Sequence, residues 1–164
     1  MIAGVAVRTA TLGDLDAVCA LENKTFPPAE AGTRAAFAYR LRAFPERFLL
    51  AEKDGAVIGM VNGCTSDLPV IADALFEESG HDPQGKNQMI FGLATDPAFQ
   101  RQGIAALLME TLIAQARREG RENVVLTCKK HLIPYYEKFG YQNRGVSASV
   151  HGGAVWYDMV LPLK

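Results

Sequence analysis

The chain has 164 residues, about half of them apolar, and its 17 basic and 18 acidic residues leave a formal charge of −1. That length suits a single domain over residues 1–164 with a sizeable core, and the interleaved charges give nucleic acid or an anionic membrane no basic run to grip, which points to a small-molecule partner. Three scattered cysteines (Cys19, Cys64, Cys128), no leader-like segment in Met1 to Val5 and no apolar run of membrane-spanning length predict a soluble, cytoplasmic protein with reduced, mostly buried thiols.

Residues 5–10 alternate like a strand, and Thr11-Leu12-Gly13-Asp14 fits a capping box whose helix carries Leu15, Val18 and Cys19 on one face. After the Phe26-Pro27-Pro28 break, Thr33 is placed to cap a second helix with Phe37, Leu41 and Phe44 at helical spacing, stopped by Pro45. Residues 48–52 and 56–64 are β-rich runs joined through Lys53-Asp54-Gly55, and an Asp-Gly step suits a tight hairpin. Residues 65–87 are mostly polar, with at most a short helix over 71–77, and a connection this long is expected near substrate.

A central strand is expected over 89–95, ended by Asp96-Pro97, and Gly92 inside it suggests a bulge or a close approach to the backbone. A long helix follows over 103–118, with Ala105, Leu108, Leu112 and Ala116 on its buried face and Arg117 and Arg118 suiting its C-terminal dipole. Residues 123–128 form the next strand, Pro134 opens a short helix closed by Gly140, and residues 141–163 read as a hairpin around His151-Gly152-Gly153. The order is βααββ, then βαβαββ, an α/β (α+β) arrangement.

The stretch with most chemistry is Ala94 to Ala105, a strand running through Gln100-Arg101-Gln102-Gly103 into a helix that starts with small residues. First-turn N–H groups and the positive dipole end make an anion site, and Gly103 and Ala105 lack the bulk that would keep a pyrophosphate away. By itself the segment reads first as an ordinary strand-to-helix loop with a small-residue start.

The pattern Gln100-x-x-Gly103-x-Ala105 after a strand resembles the acyl-CoA pyrophosphate loop of the GNAT superfamily of N-acyltransferases, and the element order agrees along nearly the whole chain. Downstream, Leu126-Thr127-Cys128 followed by Leu132-Ile133-Pro134-Tyr135-Tyr136-Glu137-Lys138-Phe139-Gly140-Tyr141 is similar to the arylalkylamine N-acetyltransferase branch. The resemblance implies the GNAT fold, a mixed central sheet of about seven strands with about four helices, and acetyl-CoA as cosubstrate. It implies that Leu93, Ala94 and Thr95 pair with the pantetheine arm, and that amides from Arg101 through Gln102, Gly103, Ile104 and Ala105 to Ala106 meet the pyrophosphate. It makes Tyr136 the general acid at the thioester sulfur and puts Phe26 and Thr127 in stretches that line the amine pocket.

An amine attacking a thioester forms a tetrahedral oxyanion that an unpaired strand N–H can stabilise by about 3 kcal/mol, and the Gly92 region is the expected source. A phenol keeps its proton at neutral pH and can hand it to the departing thiolate. The competing reading of Tyr136 is a half-buried core tyrosine beside the Tyr135 and Phe139 pair. The attacking nitrogen has to shed a proton first, and the related enzymes carry two strand histidines for this where Met89 and Phe91 stand here. Glu22, Glu30 and His81 are candidate substitutes, each also readable as a solvated surface residue, so no base is assigned.

Gly80-His81-Asp82-Pro83-Gln84-Gly85-Lys86 imitates a nucleotide-binding loop, but Asn87 replaces the Ser/Thr and no helix follows. Lys129 and Lys130 offer a phosphate contact or simply solvated charge. The three histidines have no ligand spacing, so no metal is expected, and there is no nucleophile elbow. The reading is an N-acetyltransferase for a small primary amine, acting by direct attack in a ternary complex. Peptide N-termini or lysine side chains are the alternative acceptors, and a non-catalytic acyl-CoA-binding module is the alternative class.

Overall fold

The computed structural model describes residues 2–76 and 80–164, so the end of the short helix expected at 71–77 lies outside the described residues. In chain order the elements are β1 (Val5–Thr9), α1 (Leu15–Thr25), α2 (Arg34–Ala43), β2 (Phe48–Lys53), β3 (Ala56–Asn62), β4 (Thr65–Ser66) and β5 (Asn87–Met89). There follow β6 (Gly92–Thr95), α3 (Ile104–Arg118), β7 (Asn123–Cys128), α4 (Ile133–Glu137), β8 (Gln142–Val146) and β9 (Tyr157–Pro162). The chain folds as two compact units, Met1–Gly63 with Gly92–Ala114, and Cys64–Phe91 with Gln115–Lys164.

Among the described residues nine strands form where about seven were expected, and the α-helices number four, as expected. The expected strand over 89–95 is divided at Ile90 and Phe91 into β5 and β6, which enter different sheets, and β4 adds a short strand in a segment read as loop.

The first unit holds a sheet ordered β1-β2-β3-β6, antiparallel throughout. Asp54 (φ 51°) and Gly55 (φ 78°) are both left-handed, as the two-residue turn joining β2 to β3 requires, and Lys53 pairs with Ala56 across it. The Thr33 hydroxyl accepts the Ala36 N–H at 3.1 Å and starts α2 where the sequence placed it. Val18 and Leu21 of α1 and Phe37 and Leu41 of α2 recur at helical spacing and bury one face of each helix with Phe48, Leu50, Met60 and Ala94 of the sheet. Phe37 meets Phe48 edge-on at 6.1 Å. Each such side chain adds about 1.5–3 kcal/mol by leaving water.

Ahead of α1, Asp14 does two jobs. It accepts the Thr11 N–H at 2.8 Å and receives both terminal nitrogens of Arg8 at 2.8 and 2.9 Å. The guanidinium holds its carboxyl down at about 2, from an ordinary 3.8. Because the folded-state value is depressed, the stabilisation is complete above about pH 4 and disappears as pH falls toward 2. Asp14→Asn is expected to cost up to about 1 kcal/mol at neutral pH, Arg8 being partly solvated. Urea titrations at pH 7 and pH 2.5 check this, the difference between variant and parent shrinking at the lower pH.

The second unit holds a sheet ordered β4-β5-β7-β9-β8, with β5 and β7 parallel and the other neighbours antiparallel. Val124, Val125, Leu126 and Cys128 of β7 and Met159, Val160 and Leu161 of β9 are buried, which explains their near-continuous apolar runs. Among the described residues no helix is long and apolar enough to cross a membrane, and no group of three or more His, Cys, Asp or Glu could hold a metal ion. All three cysteines are free, with Cys64 and Cys128 buried and Cys19 half-buried.

The imitation nucleotide loop at 80–86 is a structural crossing. A Cβ on Gly85 would stand 2.3 Å from the Ser66 backbone nitrogen, the Lys86 N–H is taken by Asp67 at 2.9 Å, and Arg121 donates to the Gly85 carbonyl at 2.5 Å. His81 Nδ1 accepts the Thr65 N–H at 3.2 Å, so it holds β4 in place.

Candidate active site

In the first unit, β6 leads into the loop that the sequence marked for an anion. Asp96 closes the strand: one carboxylate oxygen accepts the Ala98 N–H and the other meets Lys24 of α1, both at 2.9 Å. Arg101 (φ 63°) and Gly103 (φ 84°) then turn the chain through left-handed conformations. A non-glycine residue there is costly, so the turn at Arg101 is held by its surroundings. The Gly103 carbonyl accepts the Leu107 N–H at 3.0 Å, which makes it the first cap of α3 and leaves the amides of Ile104, Ala105 and Ala106 without helical acceptors. Arg101, Gln102 and Gly103 are exposed, and Ala105 and Ala106 half-exposed.

Ile104 is the exception, only 1% exposed. Its side chain anchors the helix start on the sheet, because a Cβ added at Gly59 of β3 would lie 2.9 Å from Ile104 Cγ2 and 3.1 Å from Leu108 Cδ1. The buried face of α3 therefore runs Ile104, Leu108, Met109, Leu112, Ile113 and Ala116, and Ala105, expected on that face, is turned partly toward solvent. Glycine on β3 sets how closely the first turn of α3 approaches the strands.

The ladder decides which strand groups of β6 are available. The Asp96 N–H bonds the carbonyl of its partner Ile58 at 2.8 Å, and the unbroken register alternates from there, so Ala94 and Gly92 turn their backbone groups to Met60 and Asn62. Leu93 and Thr95 point the other way, along the edge of β6 where no strand pairs among the described residues. Of the amides around Gly92, where the oxyanion donor was expected, that of Leu93 is turned to this open edge and that of Gly92 toward Asn62. Asn62, fully buried, accepts a hydrogen bond from the Arg40 guanidinium on its Oδ1 at 3.0 Å, while its Nδ2 has no partner among the described residues and lies 3.7 Å from where a Gly92 Cβ would be. Phe26 ends α1 and packs half-buried against the core of this unit.

In the second unit the pairing of β5 with β7 runs only as far as Val125, whose carbonyl takes the Ile90 N–H at 2.8 Å. Beyond it β7 keeps β9 on one side, and alternation turns the Thr127 backbone groups to the side that β5 leaves. Tyr136 of α4 is buried, edge-on to Tyr135 at 5.2 Å and Tyr141 at 5.8 Å. Its hydroxyl makes no hydrogen bond among the described residues. Burial, then the nearby Cys128, pushes its pKa above the ordinary 10, so the phenol is fully protonated at neutral pH. Burial also lifts the Cys128 thiol to about 11, which leaves it no thiolate with which to accept an acyl group.

Two of the base candidates read from sequence, Glu22 and His81, are engaged elsewhere. Glu22 is buried, not solvated, and its carboxylate accepts the Gly32 N–H at 2.8 Å to hold the turn before α2. Glu30 is half-exposed. Lys129 lies over the Trp156 ring at 5.8 Å. Met89, at a family histidine position, is fully buried. Sequence reasoning passed over Asn62 and Asp158, although a lone polar residue directly after the apolar run Ile58 to Val61 and another directly before the run Met159 to Leu161 were visible signals.

Likeness to known proteins identifies the family. A model of the acetyltransferase (GNAT) family matches residues 15–141. Serotonin N-acetyltransferase of Mesocricetus auratus is 26% identical over 96% of this chain and 77% of its own length. N-acetyltransferase 8 of Homo sapiens is 29% identical over 61% of this chain, which spans only 40% of that protein. Among solved structures, the GphF GNAT-like decarboxylase in complex with isobutyryl-CoA shares the fold at a TM-score of 0.83 and 24% identity, over 97% of this chain and all of that one. With a strand, a glycine-capped helix and a tyrosine helix all inside the matched span, the chain belongs to the acetyltransferase (GNAT) family and is an acetyl-CoA-dependent N-acetyltransferase.

Proposed function

We propose that the acceptor is a small primary amine, acetylated by direct attack in a ternary complex. One observation carries the choice of direct attack: Cys128, the cysteine beside Tyr136, is only 2% exposed, and burial raises its thiol pKa, which disfavours the thiolate an acyl-enzyme needs. The resemblance of residues 126–141 to arylalkylamine acetyltransferases supports a small amine as acceptor.

In this reading, the amides of residues 101–106 bind the pyrophosphate, where the helix dipole and uncompensated N–H groups favour anionic oxygen. Leu93 and Thr95 receive the pantetheine arm as a strand would be received, and Ala94 supports them through Met60. The Leu93 amide stabilises the tetrahedral oxygen. Phe26 and Thr127 each lie in a stretch whose counterpart lines the acceptor pocket in the enzymes this chain resembles.

Tyr136 supplies the proton that the sulfur needs. A phenol whose pKa is raised does not surrender its proton alone to a thiolate, whose reference pKa is about 8.5. The tetrahedral nitrogen is the stronger acid, so its proton replaces the one leaving Tyr136 as the C–S bond breaks. The net movement is one proton from nitrogen to sulfur, and the products are amide and free CoA thiol.

Titration calorimetry with acetyl-CoA, followed by thiol release over a panel of alkylamines, lysine-containing peptides and free peptide N-termini, tests the reading. Release is expected with small amines and weak with peptides. Preference for peptides would replace the acceptor, and tight acetyl-CoA binding without turnover on any amine would make the chain a binding module.

A further inference from the structure

Resting on the small-amine reading, we infer that Asp158 takes the proton from the acceptor's ammonium group, the step that the absent strand histidines perform in the enzymes this chain resembles. Three facts of the second unit's sheet carry it. Met89, standing at one of those histidine positions, pairs with Val125, and Val125 pairs with Val160. Side chains of paired residues share a face, and two residues further along each strand the same face presents Thr127 and Asp158, which pair directly across β7 and β9. Asp158 therefore stands on the sheet face once served by the histidines, one row along, opposite a residue of the proposed amine pocket.

The carboxylate is poorly provided for by its own protein. Asp158 is 7% exposed, and its Oδ1 is buried without a hydrogen-bond partner among the described residues. Among the described residues, the groups facing it are Thr127 from β7 and Ser147 just after β8, both uncharged, and the Ser147 hydroxyl hydrogen-bonds it. An enclosed acceptor left unsatisfied destabilises the fold. A cationic donor such as an ammonium would satisfy it. Burial also raises the affinity of this carboxyl for a proton, the direction a general base needs.

The strand pair separates base from acid. Leu126 and Cys128, alternating with Thr127, occupy the opposite face, and Tyr136 lies close enough to Cys128 to feel its charge. Nitrogen then approaches from the face of Asp158 and sulfur departs toward that of Tyr136, past the edge of β7 that β5 leaves open. The first ammonium proton passes to Asp158 and on to solvent. The second leaves nitrogen after attack, in the exchange through Tyr136 described above.

The test compares two acceptors with the full chain. Phenylethylamine is an ammonium ion at neutral pH, whereas an alkoxyamine is already neutral. Asp158→Asn is expected to lose about 10²-fold or more in turnover on the first and little on the second, with acetyl-CoA affinity unchanged and Tm equal or higher. Its rate on phenylethylamine should climb about tenfold per pH unit, as the free amine fraction does. Asp158→Ala provides a second route, with formate restoring turnover on the alkylamine. Equal losses on both amines, full activity in Asp158→Asn, or no rescue by formate would overturn the assignment. A parent enzyme that acetylates neither amine would instead overturn the acceptor reading on which it rests.

Discussion

Tyr136→Phe is expected to lower kcat by about 10²- to 10⁴-fold while leaving acetyl-CoA affinity and Tm close to the parent values. The hydroxyl makes no hydrogen bond among the described residues, so its removal breaks no internal bond. The ring contacts with Tyr135 and Tyr141 persist in phenylalanine. A loss confined to kcat would then report the proton alone. Burial holds this phenol's pKa above 10, so its titration should not produce a downturn in turnover at any pH below that value. Unchanged turnover in the variant, measured by thiol release under saturating acetyl-CoA, would remove Tyr136 from the mechanism.

The second large effect is expected at a residue that touches neither substrate. Gly59→Ala introduces a methyl group 2.9 Å from Ile104 Cγ2, 3.1 Å from Leu108 Cδ1 and 3.3 Å from the Ala94 carbonyl oxygen. Ile104 is β-branched and enclosed, so it has no free rotamer into which to retreat, and the first turn of α3 is forced away from β3. Overpacking of this kind costs about 1–3 kcal/mol. Losing one charge-assisted amide bond to the pyrophosphate as the turn moves would weaken acetyl-CoA on the order of tenfold or more. Denaturant titration and calorimetry on the same sample separate the two. A destabilised variant that still binds acetyl-CoA at full strength would show that the amides of 104–106 are not placed by this packing.

Local chemistry explains why much of the chain was legible. The Thr11 to Asp14 box, the Thr33 cap and the Asp54-Gly55 turn each involve residues a few positions apart, so their geometry follows from backbone preference and short-range hydrogen bonds. The buried faces of α1 and α2 follow from periodicity in the same way. The expected strand over 89–95 behaved differently. Nothing local forbids seven residues there from continuing one strand, and its division at Ile90 depends on pairing with β7, some 35 residues later, and with β3, some 30 residues earlier. Glu22 shows the same limit at a single side chain. Its sequence context is that of a solvated helix residue, and only the turn at Gly32 folding back onto it makes it a buried acceptor.

For the site, the sequence by itself determined the identity of the parts: a glycine-capped helix start after a strand, and a tyrosine on a short helix following the next strand. Those are contiguous motifs, and their chemistry resides in residue type and spacing. Only the tertiary structure decided which of their groups are available. Ladder register, a property of paired strands, turns Leu93 and Thr95 outward and Ala94 inward, and the same pairing puts Asp158 across from Thr127, 31 positions away. No local pattern encodes that proximity, because an acid in an apolar run acquires a role only from what the neighbouring strand sets beside it.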